Sequence, residues 1–117
     1  RGQFAIAPKH LSPHGFLHGA TIVALADSAC GFGCLASLPD ASMSFATGEL
    51  KTNFIGAART GLVVCEARLV HSGRTTQVWD AEVVSVESNK TIALFRCTQM
   101  LLNFPPDRHS ARRGGEN

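Results

Sequence analysis

Asp27 is a single carboxylate inside an apolar run that extends from Ala20 to Leu38 and contains Ile22, Val23, Leu25, Cys30, Phe32, Cys34 and Leu35. Burying an unpaired charge costs on the order of several kcal/mol. Asp27 is therefore either a structural carboxylate held by nearby Ser, Thr or backbone donors, or a group kept for use as a nucleophile or general base. Just upstream stands His18-Gly19, closing a loop punctuated by Pro13 and Gly15. The first N–H groups of a helix have no intrahelical partner and lie at the positive end of its dipole. Without a side chain, Gly19 would let a carbonyl oxygen rest against its N–H, so it is the candidate polarising group for attack on an acyl carbonyl.

The spacing of these two groups sets a problem. Eight helical residues at 1.5 Å rise put Gly19 and Asp27 about 12 Å apart, too far for one carbonyl to touch both within a single chain. His18 precedes the polarising glycine and is read as orienting the loop through a hydrogen bond, with an ordinary structural histidine as the competing reading. His14 could equally be loop surface, and neither histidine has a Ser or Cys at triad spacing. The four cysteines, Cys30, Cys34, Cys65 and Cys97, form no CxxC pair and have no neighbouring His at metal-ligand spacing. They read as small core hydrophobes and free thiols, which implies a reducing, cytoplasmic compartment and no metal.

The positioning elements follow from periodicity. The run from Ala20 is too long for a strand, lacks strict alternation and is rich in Ala, which predicts a helix apolar on every side that other structure must cover. Gly31 and Gly33 are costly in a helix, which predicts close approach of a neighbouring backbone there. The run also has the length of a membrane span, but Asp27, Ser28, the glycines and the lack of a flanking basic cluster argue against one. After Pro39-Asp40 the chain reads as four strands, Ser44 to Ile55, Leu62 to Val70, Thr75 to Val86 and Thr91 to Leu102. The short connections between them predict an antiparallel meander. Phe4 to Ala7 is a possible edge segment ended by Pro8. From Phe104 no periodicity remains, so one domain over residues 1–104 and a flexible tail over 105–117 are expected.

Composition sets the outer limits. A chain of 117 residues, 44% hydrophobic, is long enough for one domain with a sizeable core. A formal charge of +2, with basic residues scattered apart from Arg112 and Arg113, gives no basic patch for nucleic acid. No signal peptide is visible, although the sequence begins at Arg1 and not Met.

A buried helix followed by four long antiparallel strands is an α+β arrangement in which the sheet curls around the helix. The segment SPHGFLHGATIVALADSACG resembles that of hotdog-fold acyl-CoA thioesterases of the phenylacetic-acid-degradation and 4-hydroxybenzoyl-CoA types. In these, a loop Asn or Gln, a His-Gly at the helix start and a helical Asp or Glu recur. Thr47 to Phe54 resembles the strand after the helix, and His71 to Thr76 the turn on the CoA side. The resemblance spans about residues 12 to 102.

It implies a hotdog fold and hydrolysis of a CoA thioester carrying an aromatic or medium-chain acyl group, with CoA as part of the substrate and no separate cofactor. Asp27 would be nucleophile or general base and Gly19 the polarising donor. Ser12 stands at the Asn or Gln position, Ala20 where a second Gly is common, and Thr47 at a water-positioning hydroxyl. Arg59, Arg74, Thr75 and Thr76 are candidates for the nucleotide and phosphates of CoA. Phe54, with Phe16, Leu17 and Phe32, would line the acyl pocket. The resemblance also implies a homodimer or homotetramer whose helices lie side by side, so that Asp27 of one copy faces Gly19 of another. A hotdog-type dehydratase or hydratase and a non-catalytic acyl-CoA-binding module are the alternatives.

Overall fold

Alternation carries the sheet. In the segment Thr76–Ser85 every second residue, from Gln77 through Trp79, Ala81 and Val83 to Ser85, is buried. That is the pattern of a strand with one face on the core. The computed structural model describes residues 1–40 and 43–103, and the expected tail 105–117 lies outside the described residues. In chain order the elements are β1 (Gly2–Ala5), a 3₁₀ turn (Pro8–His10), α1 (Gly19–Ser37), β2 (Met43–Phe54), β3 (Leu62–Ser72), β4 (Thr76–Ser85) and β5 (Lys90–Asn103).

The five strands form one antiparallel sheet in the order β1-β3-β4-β5-β2. β3, β4 and β5 make the expected meander, and the β4–β5 turn places Asn89 at φ 57°, a left-handed conformation that Asn tolerates. β2 departs from the expectation. It pairs with β5 at the far edge, not with β3, so the segment 55–61 is a crossover and not a hairpin.

Backbone hydrogen bonds hold that crossover against the sheet end: the Ile55 and Gly56 N–H groups both donate to the Ile92 carbonyl, and Ala58 O accepts from Leu17 N–H. Gly56 passes so close to β5 that a Cβ there would stand 3.1 Å from the Thr91 carbonyl oxygen and 3.2 Å from Ile92 Cα. Only glycine fits that passage without moving backbone.

α1 lies on one face of the curled sheet, with Ile22, Ala26, Ala29, Cys30 and Cys34 buried among Val63, Cys65, Ala81, Val83, Phe95 and Cys97. The two helical glycines answer to aromatic rings, which corrects the expectation of a neighbouring backbone. A Cβ on Gly31 would stand 3.1 Å from the tip of Phe45, and one on Gly33 would stand 2.6 Å from Trp79 Cη2. The Trp79 ring cannot swing freely, because its Nε1–H donates to Gln77 Oε1 at 2.8 Å. Gly33→Ala should therefore destabilise the fold. Overpacking of about 1–3 kcal/mol outweighs a helix-propensity gain of about 1 kcal/mol, and the urea midpoint should fall with an unchanged m-value.

The cysteines pack as small core groups. All four are free and buried. A hydrogen bond to Cys97, then burial, raises the Cys30 thiol far above its ordinary value, and burial raises Cys65 to about 11. Cys30 and Cys65 stay protonated, which suits packing and not nucleophilic chemistry, while the hydrogen bond that Cys97 accepts from Cys30 lowers the Cys97 thiol.

The outer side of α1 is uncovered. Ala20, Ala24, Ser28 and Ala36 are exposed there, with Phe32 at 74% and Leu35 at 49%. By length and composition alone Gly19–Ser37 is apolar enough to cross a bilayer.

Candidate functional site

The site is built between α1 and the inner face of β2. A regular strand turns alternate residues to opposite faces, so Thr47 and Phe54, an odd number of positions apart, would point opposite ways. A bulge at Gly48 changes this: Thr47 pairs with Gln99 and Glu49 with Thr98, leaving Gly48 as the extra residue. Phe54 then pairs with Ala93, which shares the helix-facing side of β5 with Gln99. Both Thr47 and Phe54 face α1 as a result.

Thr47 meets the middle of the helix. Its Oγ1 lies 3.5 Å from Asp27 Oδ1 and 2.8 Å from Gln99 Oε1. With the Gln99 amide oxygen turned toward Thr47, the hydroxyl's single hydrogen goes to the shorter contact and Thr47 donates to Gln99. Asp27 is half-buried and Thr47 exposed, so the carboxylate is reachable from outside, while Gln99 behind them has no exposed surface. Gln99 Nε2 is buried with no hydrogen-bond partner among the described residues, and so is Thr52 Oγ1 on the same strip of β2. An unpaired buried amide N–H costs about 1–3 kcal/mol.

Phe54 meets the start of the helix. Its ring lies over Gly19, 3.1 Å from where a Cβ would stand. His18 is the N-cap, with extended backbone (φ −68°, ψ 134°), and its Nδ1 accepts from the Ala20 N–H at 3.1 Å. Its carbonyl takes the Thr21 and Ile22 N–H groups, and its own N–H donates to His10 O. Among the described residues nothing accepts the Gly19 N–H. That is the donor a carbonyl oxygen needs, left free by a cap that uses the next one.

The loop before the cap is tight. Ser12 N–H donates to Phe16 O and Gly15 N–H to Ser12 O, with Gly15 at φ 83°. The Arg59 guanidinium sits 4.2 Å from the centroid of the Phe16 ring, a cation–π contact at the Gly19 end of the molecule.

Within one chain the structure therefore joins Asp27 to Thr47 and Gly19 to Phe54, with His18 adjoining. Ser12 hydrogen-bonds through its backbone inside its own loop. Arg74, Thr75 and Thr76 lie at the β3–β4 hairpin, near the C-terminal end of α1, where Ser37 and Gln77 exchange hydrogen bonds. They stand at the other end of the sheet from Arg59. Leu17, expected to line the acyl pocket, is a core residue at 7% exposure, and Phe32 is too far along the helix to share Gly19's surroundings.

Gln99 is the residue that sequence reading missed. It stands on a core-facing position of an alternating strand, where a large amide is out of place, and that mismatch was the signal available.

A second charged group, Asp80 with Arg68 and Arg96, lies on the opposite face of the sheet in a groove of about 470 Å³. Hydrogen bonds from Arg96 at 2.5 and 2.8 Å hold the Asp80 carboxyl below its ordinary range. It is structural pairing apart from the site. Among the described residues no cluster of three or more His, Cys, Asp or Glu could hold a metal ion.

With this geometry in hand, the chain can be set beside known proteins. The family model described as thioesterase superfamily matches residues 14–92. The 1,4-dihydroxy-2-naphthoyl-CoA hydrolase of Listeria monocytogenes is 32% identical over 96 residues, covering 82% of this chain and 76% of that protein. Acyl-coenzyme A thioesterase PaaI of Escherichia coli is 33% identical over 92 residues, covering 78% of this chain and 62% of that protein. The crystal structure of a thioesterase from Haemophilus influenzae superposes with a TM-score of 0.81 at 26% identity, covering 86% of this chain and 69% of that one. A helix cradled by a five-stranded antiparallel sheet agrees with these matches: the chain belongs to the thioesterase superfamily and has its hotdog fold.

Proposed function

We propose that this chain hydrolyses an acyl-CoA thioester to the free acid and CoA, with Asp27 as nucleophile or general base and the Gly19 N–H polarising the thioester carbonyl. The observation that carries the reading is that one rigid helix bears both groups, a free N–H at its start and a half-buried carboxylate two turns along, and leaves an apolar flank uncovered. Two such helices lying antiparallel and centred on Val23 would set Asp27 of one copy opposite Gly19 of the other. The 12 Å gap within one chain, about eight residues at 1.5 Å each, then closes between chains. The same two-fold would carry Arg74, Thr75 and Thr76 of one copy toward the Arg59 end of the other, gathering donors for the phosphates of CoA.

The Phe54 ring over Gly19 and the Phe16 ring beside it favour an aromatic or medium-chain acyl group. His18 serves as the cap that orients the Gly19 donor, which leaves the carboxylate as the base. The reaction needs no cofactor beyond the CoA portion of its substrate, and four free thiols suit the cytoplasm.

The test is thiol release from benzoyl-CoA and octanoyl-CoA, with sedimentation at the assay concentration. Turnover by a dimer or larger assembly is expected. A fully active monomer would remove the shared site, and tight binding without thiol release would make the chain an acyl-CoA-binding module.

A further inference from the structure

We infer that Gln99 is a positioning residue of this site, acting through Thr47 to aim the attacking water. The inference rests on the proposed thioester hydrolysis and adds a residue that neither composition nor the family's motif singles out.

Three observations carry it. Gln99 is fully buried in the middle of β5, directly across from Thr47, where its neighbours on the same face, Cys97 and Phe95, are apolar. Its Oε1 takes the Thr47 hydroxyl hydrogen at 2.8 Å, against 3.5 Å to Asp27 Oδ1. Its Nε2 has no partner among the described residues. The satisfied polar network next to it, Gln77 with Ser37 and Trp79, does not include it. A methionine of similar length would fill the same space without stranding an amide nitrogen, so packing and stability do not call for glutamine here.

What glutamine supplies is a direction. With its hydrogen fixed on Gln99, the Thr47 oxygen faces Asp27 as an acceptor. A water seated between them donates one hydrogen to Thr47 Oγ1 and the other to Asp27, and both of its lone pairs then point away from the protein donors toward the substrate carbonyl. As the water's oxygen forms its bond to the acyl carbon, the proton it gave toward Asp27 transfers to the carboxylate, and the CoA thiolate leaves when the tetrahedral intermediate collapses. Were the Thr47 hydrogen turned to Asp27 instead, it would occupy the carboxylate and hold the water the other way round. Gln99 prevents that by offering the closer acceptor.

The test is a double-mutant cycle read in both activity and stability, on benzoyl-CoA and octanoyl-CoA. Gln99→Met should lower kcat by about 10–100-fold, the scale of a small misplacement of a reacting group. KM should stay within about threefold, and the thermal midpoint should be equal to or above the parent's because the stranded amide is gone. Gln99→Glu keeps an acceptor for the Thr47 hydrogen, so in it the Thr47→Val change should still matter. In Gln99→Met, by contrast, adding Thr47→Val should cost nothing further in kcat.

If Gln99→Met leaves kcat unchanged while Asp27→Asn abolishes turnover, the inference falls and the hydrolase reading stands. If Gln99→Met lowers the midpoint and kcat falls only with the folded fraction, Gln99 is structural and the inference falls. Additive losses in kcat from Thr47→Val and Gln99→Met also overturn it. A parent that releases no thiol from any acyl-CoA overturns the hydrolase reading and this inference with it.

Discussion

Asp27→Asn should lower kcat for thiol release by about 10²–10⁴-fold, the range for loss of a positioned general base, while leaving the protein folded. The carboxylate is half-buried, Thr47 Oγ1 lies 3.5 Å from its Oδ1, and among the described residues no cation is paired with it. Asn has the same shape and leaves no cavity. Removing an unpaired negative charge from the flank of an apolar helix should hold or raise the thermal midpoint. KM should change little, because the lost interaction belongs to the transition state. Asp27→Ala should show the same loss of kcat. Folded variants that turn over as fast as the parent would remove Asp27 from the chemistry.

Gly19→Pro should cost about 10²–10³-fold in kcat, the scale of deleting one donor to a developing oxyanion. The substitution separates chemistry from folding unusually cleanly. Gly19 is the first residue of α1, where proline is tolerated because its missing N–H has no intrahelical partner to lose. The preceding residue, His18, already has the extended backbone that a following proline demands, at φ −68° and ψ 134°. The helix should therefore persist in circular dichroism while the free N–H disappears.

Gly19→Ala is the control for bulk. It keeps the N–H but places a Cβ 3.1 Å from the Phe54 ring, whose residue is 53% exposed and can swing aside. Its loss should be several-fold smaller than that of Gly19→Pro. Equal losses in the two variants would mean that Gly19 is needed for space and not for its N–H.

Much of this fold could be read without coordinates because its signals are local. The alternation of Gln77, Trp79, Ala81, Val83 and Ser85 declares β4, the long Ala-containing run declares α1, and the boundaries fall within a few residues of those expected. The edge segment near Phe4 is β1, paired to β3. The failures were non-local. Short connections suggested a simple meander, yet β2 sits beside β5, because strand neighbours are chosen by which edge can be reached and sealed and not by loop length. The glycines of α1 met rings and not backbone, since an aromatic side chain from a distant strand leaves no mark near Gly31 or Gly33.

The candidate site divides in the same way. Sequence alone determined that a costly carboxylate sits in an apolar helix and that a glycine with a free N–H opens that helix, because burial cost and helix-end chemistry belong to residue types and their spacing. It also determined that about 12 Å, eight residues at 1.5 Å each, must separate them in one chain.

Only the tertiary structure decided what surrounds them. The Gly56 crossover delivers β2 to β5, which sets Thr47 against Gln99, and the bulge at Gly48 shifts the strand by one residue so that Thr47 and Phe54 share a face. Both are matters of register between segments some 50 residues apart in sequence. A period-two pattern cannot reveal an extra residue whose effect is to move half a strand onto the other face.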